Sequence, residues 1–186
     1  MWILLLGLLL FFAPHLLREL GLRDAVANEL GSMGAYKAVY SVAALAGIGL
    51  MVVGMSASPF IMIYEPLYQY KFYSHILMLP AAILIIAGNL PQSYIRANVR
   101  NPMLAGIALW GIGHLWSNGD LASLLLFGSF ALWGVFKFLA GRRHKISVGK
   151  GPSLFWDFVA LVTGMSLYLV LSTYHGQLFG VGLNFV

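Results

Sequence analysis

The stretch that decides the fold runs from Tyr36 to Ala57 and reads YKAVYSVAALAGIGLMVVGMSA. Its single charged residue, Lys37, stands beside its start, and the rest is almost entirely apolar, small or aromatic. An α-helix needs about 20 such residues to cross the hydrocarbon core of a bilayer. Ala43 and Gly47 lie four residues apart, a spacing of small residues that lets a neighbouring helix approach closely. The stretch therefore predicts a transmembrane helix packed against another helix.

Five further apolar runs flank this stretch. They cover residues 1–17, 72–90, 102–116, 121–140 and 153–174. The sequence shows no strand-like alternation, so the predicted fold class is all-α, a polytopic transmembrane bundle of about six helices. The first run lacks a preceding basic segment and a small-residue cleavage site, so we expect it to be retained as a helix. The length predicts a single transmembrane domain over residues 1–186.

The overall composition supports this prediction. Hydrophobic residues make up 60% of the chain and charged residues 9%, with a mean hydropathy of +0.85. A soluble domain carries roughly 25% charged residues, so these apolar side chains must face lipid or one another. The formal net charge of +5 does not indicate nucleic-acid binding, because the basic residues lie in short loops between apolar runs. The absence of cysteine excludes disulfides, thiolate nucleophiles and cysteine-ligated metals.

The basic residues are distributed unevenly over the predicted loops. Lys71 lies on one side of the bundle, and the other side holds Arg18, Arg23, Lys37, Arg96, Arg100, Lys137, Arg142, Arg143, Lys145 and Lys150. Such an excess marks the cytoplasmic side. We therefore expect a multi-pass protein of the inner membrane with both termini in the periplasm. Arg96 and Arg100 either set this topology or bind an anionic lipid head group or a phosphate.

The histidines in the apolar runs are candidate ligands. Ionisable groups in membrane helices usually face the bundle interior, and imidazole can ligate haem iron. At 1.5 Å per residue, His15 lies about 20 Å deep from the outer face and His114 about 12 Å, so their depths differ by only about 8 Å. Both could therefore reach one iron. A simple hydrogen bond from each ring to a backbone carbonyl is the alternative.

Other polar and aromatic residues carry weaker signals. Trp110 lies four residues before His114, on the same helix face, where it either packs against a flat cofactor or serves ordinary helix packing. His75 and His175 are expected at the outer interface, and His144 in a solvated loop. The sequence contains no HExxH, P-loop or GxSxG motif, so it gives hydrolysis and nucleotide chemistry no support.

Three polar residues are expected to stabilise helix ends. Asn118 and Asp120 are candidate caps for the helix predicted at 121–140. Asp157 is expected in the first turn of the last run, where its charge suits the helix dipole.

Two stretches resemble the NnrU family of bacterial membrane proteins. The first contains NPMLAG at 101–106, ALW at 108–110, GHL at 113–115 and NGDLASLLLFG at 118–128, and the second is PHLLR at 14–18. The resemblance implies a link to denitrification and nitric oxide reduction. The family is also similar to 15-cis-zeta-carotene isomerase, a membrane haem b protein with histidine axial ligands that isomerises a carotenoid double bond. Carried over by motif, these ligands match His15 and His114. The family often has Arg-His-Pro where this chain has Arg100-Asn101-Pro102, so that histidine's role is absent here.

Three functions follow as alternatives. In the first, His15 and His114 hold a haem b, and the protein acts as a cis–trans isomerase on a hydrophobic small molecule such as a polyene. In the second, a non-enzymatic membrane factor supports denitrification or nitric oxide reduction through protein contacts. A small transporter is the weakest alternative, because the sequence shows no inverted repeat.

Overall fold

The computed structural model describes residues 1–67, 71–141, 151–180 and 183. Within these residues the fold is all-helical, as the sequence predicts. The helices are α1 (Trp2–Leu16), α2 (Arg23–Glu29), α3 (Met33–Ser56), α4 (Phe72–Asn89), α5 (Tyr94–Val99), α6 (Pro102–Ser117), α7 (Leu121–Gly141), α8 (Leu154–Thr173) and α9 (His175–Phe179). An isolated antiparallel bridge joins Met62 and Asp120. The basic cluster Arg142, Arg143, His144, Lys145 and Lys150 lies outside the described residues.

Each of the six apolar runs forms a helix. Four of these helices, α3, α4, α7 and α8, are long and apolar enough to cross a membrane. The other two, α1 with 15 residues and α6 with 16, fall just short of the length that a spanning helix usually has. The chain is therefore a helical membrane protein. The count of six spans and the periplasmic side of the termini stay predictions.

The helices group into two compact units. The first comprises Met1–Ile63 and Asp120–Leu126, and the second comprises Tyr64–Gly119 and Phe127–Val186. The single domain over residues 1–186 stays a prediction.

In the first unit, α1 packs along α3. A Cβ atom built on Gly47 would lie 2.9 Å from the carbonyl oxygen of Gly7 and 2.9 Å from the backbone nitrogen of Phe11. These separations are shorter than van der Waals contact, so the two backbones meet only because residue 47 has no side chain. The predicted close approach of a helix at Gly47 is confirmed.

In the second unit, α4 packs against both α6 and α8. A Cβ atom on Gly106 of α6 would lie 2.7 Å from the carbonyl oxygen of Ala81, and one on Gly164 of α8 would lie 2.6 Å from the Cα atom of Ile83. Glycines therefore allow the close backbone contact at both interfaces. In lipid the hydrophobic effect does not drive helices together, so helix association depends on the van der Waals packing that such small residues permit. This packing fixes α6, the helix that carries His114.

Asp157 lies in the first turn of α8, as predicted, but its carboxylate serves a different helix. It accepts the backbone N–H groups of Tyr94 and Ile95, both at 2.9 Å, at the start of α5. Asp157 is only 8% exposed. A buried carboxylate is stabilised by such donors, and the first N–H groups of a helix need an acceptor from outside it. Asp157 therefore ties α5 to α8.

Candidate functional site

His15 lies at the end of α1, with its imidazole packed among aromatic rings of the first unit. Its Nδ1 lies 2.6 Å from the carbonyl oxygen of Phe11, one helical turn earlier. The Phe11 ring stacks on the imidazole with centroids 4.2 Å apart and planes 21° apart. The Tyr40 ring of α3 lies at 4.8 Å, tilted by 47°. The hydrogen bond to Phe11 and the aromatic contacts with Phe11 and Tyr40 therefore help to set the ring orientation of His15.

His114 lies near the end of α6, in the second unit, and its surroundings match those of His15. Its Nδ1 lies 2.9 Å from the carbonyl oxygen of Trp110, again one turn earlier. The Phe127 ring of α7 stacks on the imidazole at 4.3 Å and 19°. The Trp110 ring lies at 5.0 Å, tilted by 55°. The same combination of one carbonyl bond, one stacked ring and one tilted ring thus occurs twice in the chain.

The carbonyl bonds determine what each imidazole can do chemically. A carbonyl oxygen can only accept, so Nδ1 must carry the proton in both histidines. In the neutral ring the lone pair then lies on Nε2, the nitrogen that ligates a metal when Nδ1–H is held by a backbone carbonyl. Coordination occurs in the ring plane, so the stacked Phe11 and Phe127 rings do not block it. Each histidine therefore has the tautomer that a haem ligand needs. The hydrogen bond from Nδ1–H to the carbonyl fixes this tautomer and leaves Nε2 as the nitrogen that would bind iron.

The end of α6 that carries His114 is held by side chains that satisfy its last carbonyl groups. The Asn118 side-chain amide donates to the carbonyl of His114 at 2.8 Å. The Tyr64 hydroxyl bonds to the carbonyls of Leu115 and Asn118. The sequence had suggested that Asn118 caps the start of α7. In the structure its side chain instead caps the end of α6. Asp120 does cap α7, since its carboxylate accepts the N–H of Ser123 at 3.0 Å.

The comparison with protein families was decisive for the identity of the chain. The family model described as NnrU protein matches residues 3–183. The chain belongs to the NnrU family. Neither the curated proteins nor the solved structures provide a match. The matched range includes both candidate histidines.

Trp110 of this NnrU-family chain packs in an aromatic cluster next to His114. Its ring lies 5.0 Å from that of Phe127 and 5.6 Å from that of Phe130, both edge-on. These contacts are compatible with ordinary helix packing, and the packing of Trp110 against a flat cofactor stays a prediction. Its backbone carbonyl nevertheless holds the imidazole of His114, so Trp110 positions the candidate ligand in either case.

His175 also lies close to His114, which the sequence pattern did not indicate. It is the first residue of α9, and its ring centroid lies 6.5 Å from that of His114 at an interplanar angle of 27°. A signal was available, because the sequence places His75 and His175 at the outer end of the bundle, the end nearer to His114. Tyr64 and Phe127 had no such signal, since their roles arise from tertiary contacts.

The NnrU fold brings some candidate residues together and leaves one pairing open. His114, Trp110 and His175 lie in the second unit, whereas His15 lies in the first. The shared ligation of one iron by His15 and His114 therefore stays a prediction. Within the described ranges, no group of three or more His, Cys, Asp or Glu side chains could hold a metal ion.

Proposed function

We propose that this NnrU-family protein is a b-type haem protein of the inner membrane that acts on a hydrophobic substrate, as a cis–trans isomerase similar to 15-cis-zeta-carotene isomerase. The observation that carries the proposal is the matched geometry of His15 and His114. Each Nδ1 is held by the carbonyl one turn earlier, which presents Nε2 as a metal ligand. The same bond would also satisfy the N–H of a buried imidazole that binds no metal, so the presence of haem in purified protein decides between the two readings.

In this proposal, the residues of the chain bind, orient and shield. His15 and His114 would hold the haem through their Nε2 atoms, and Phe11 and Phe127 keep the two imidazole rings from turning. A bound haem would supply redox or Lewis-acid chemistry at its iron. Large apolar side chains such as Leu45 and Leu132 are 69% and 75% exposed, which suits helices that face lipid. A hydrophobic substrate would reach the site laterally from the bilayer.

The aromatic contacts of the two histidines also suit the second candidate function, a non-enzymatic membrane factor that supports denitrification or nitric oxide reduction. In that role the stacked imidazoles would stabilise helix packing without binding a metal. The two functions differ in what purified protein contains and in what the loss of each histidine does.

The test is an optical spectrum of detergent-purified protein, expressed with haem supplied and recorded oxidised and then dithionite-reduced. We expect a Soret band with resolved α and β bands on reduction, as for histidine-ligated haem b. His15→Ala and His114→Ala should each abolish or shift these bands. His75→Ala is the matched control, because it removes a histidine of the second unit that is not proposed as a ligand.

Each outcome decides between the alternatives. Haem that survives His15→Ala but is lost in His175→Ala would show that His114 pairs with His175, and would refute the proposed ligand pair. Protein without haem in all samples would refute the haem function and leave the membrane factor. Equal loss of haem in His75→Ala and His114→Ala would mean that the spectra report folding and not ligation.

A further inference from the structure

A small polar cavity lies at the end of the second unit where α4, α5 and α6 meet. It has a volume of about 240 Å³ and is lined by Gly88, Gln92, Arg96, Arg100, Asn101 and Pro102. Pockets that hold drug-sized ligands measure roughly 300–1,000 Å³, so this one suits a small polar group and not a polyene. It is also separate in sequence from both histidines and from the aromatic cluster around Trp110.

The two arginines reach the cavity from positions four residues apart. Arg96 lies on α5, and one of its guanidinium N–H groups donates to the carbonyl of Leu90. A guanidinium has five N–H donors, so this bond anchors the side chain and uses one of them. Arg100 is the residue that ends α5. Each guanidinium presents its N–H donors in a planar fork that matches carboxylate and phosphate oxygens, and both arginines line this one small cavity.

The backbone at Arg100 is unusual. Its φ is 65° and its ψ is −52°, and Arg100 is the only described residue other than glycine with a positive φ. The N–H of Asn101 donates to the carbonyl of Val99 at 2.8 Å, which closes a γ-turn around Arg100. This type of turn is rare and strained for a residue with a Cβ atom, and glycine would relax it. The chain thus holds an arginine side chain at a position whose backbone favours glycine.

The start of α6 adds a favourable field for an anion. Asn101 and Pro102, the first residues of this 16-residue helix, line the cavity. The Asn101 side chain accepts the N–H of Leu104 at 3.4 Å, which fixes the helix start. The N-terminal end of a helix carries a partial positive charge that stabilises phosphate groups.

We propose that this cavity binds a phosphate group, with Arg96 and Arg100 as its ligands. The volume, the two arginines, of which Arg96 is anchored by its bond to Leu90, and the helix start all favour a compact anion with several acceptor oxygens. The phosphate can belong to the head group of an anionic lipid, since the predicted cytoplasmic leaflet is negatively charged. It can also belong to a soluble phosphate compound. The proposal does not depend on haem binding.

The experiment has two arms, both with the full-length protein. In the first, inorganic phosphate is titrated into detergent-purified protein by calorimetry. In the second, the protein is placed in phosphatidylcholine nanodiscs with increasing phosphatidic acid, and bound lipid is counted by native mass spectrometry. Binding in the first arm identifies a soluble phosphate, and binding in the second alone identifies a lipid head group. Binding in neither arm overturns the proposal.

Variants test the assigned ligands. Arg96→Gln and Arg100→Gln should each weaken binding by roughly 10- to 100-fold in whichever arm shows it, because each removes a charge-assisted hydrogen bond. Arg18→Gln is the matched control, since Arg18 is an exposed arginine of the first unit on the same predicted side of the membrane. An equal loss in Arg18→Gln would show that binding follows net charge alone, which overturns the proposal.

Arg100→Gly separates binding from folding. It removes the guanidinium and at the same time relaxes the γ-turn, so the variant should melt no lower than the original protein. We expect it to lose phosphate binding as strongly as Arg100→Gln. Retained binding in a stable Arg100→Gly variant would overturn the assignment of Arg100.

Discussion

Replacing Asp157 by asparagine should destabilise the protein through the start of α5. The carboxylate accepts two N–H groups, from Tyr94 and Ile95, at 2.9 Å each, and is 8% exposed. Asparagine keeps the shape but offers one acceptor oxygen, so one bond to a charged group is lost and an N–H is left without its acceptor. Such a loss costs about 1.5–3 kcal/mol. For a chain of 150–250 residues this corresponds to a fall in Tm of roughly 3–12 °C.

The assay is thermal unfolding of the detergent-solubilised protein, followed by circular dichroism. Asp24→Asn is the control, because the Asp24 side chain is 71% exposed and forms a surface ion pair with Arg23 at 2.7 Å. Removal of a surface pair changes stability by about 0.5 kcal/mol or less. Hydrogen exchange should also accelerate at Tyr94 and Ile95 in Asp157→Asn. If Asp157→Asn melts together with Asp24→Asn and its exchange is unchanged, the tie between α5 and α8 does not exist.

Two further predictions concern helix packing and the end of α6. Gly47→Ala should lower the free energy of unfolding by roughly 1–3 kcal/mol through overpacking, whereas Gly49→Ala, with nothing within 4 Å of its Cβ position, should raise it by up to about 1 kcal/mol. Equal thermal shifts in the two variants would contradict the close contact of α1 and α3. Tyr64→Phe should cost about 1–2 kcal/mol, because the carbonyls of Leu115 and Asn118 lose a donor. An unchanged Tm would refute the role of this hydroxyl.

The long helices follow from the sequence because their cause is local. A run of apolar residues with the length of a bilayer core has few alternatives to a helix, and the run at Tyr36–Ala57 forms a helix at Met33–Ser56. The short helix α5 was not predicted. Six residues are too few for a periodic pattern, and the carboxylate that accepts its first N–H groups is Asp157, more than 60 residues away in the chain.

The features of the candidate site also fall into those with a local cause in the sequence and those that depend on tertiary packing. The sequence shows which histidines lie in apolar runs, and helix geometry gives their approximate depth in the membrane. These features single out His15 and His114. The carbonyl bond of each ring also has a local origin, since it joins residues four apart on one helix. In contrast, the stacking of Phe127 on His114 and the approach of His175 depend on how α6, α7 and α9 pack. The sequence places His114 and His175 towards the same end of the bundle, but no pattern along the chain specifies the contacts themselves.

Each histidine is oriented by its own helix, so the local geometry qualifies both as ligands and does not select partners. Selection depends on tertiary distance, and within one unit the structure offers His114 a neighbour in His175 at 6.5 Å. The family resemblance instead favours His15. The two pairings make opposite predictions for one variant, because His175→Ala should leave the haem spectrum intact if His15 is the second ligand and abolish it if His175 is. That variant therefore decides which histidine shares the iron with His114.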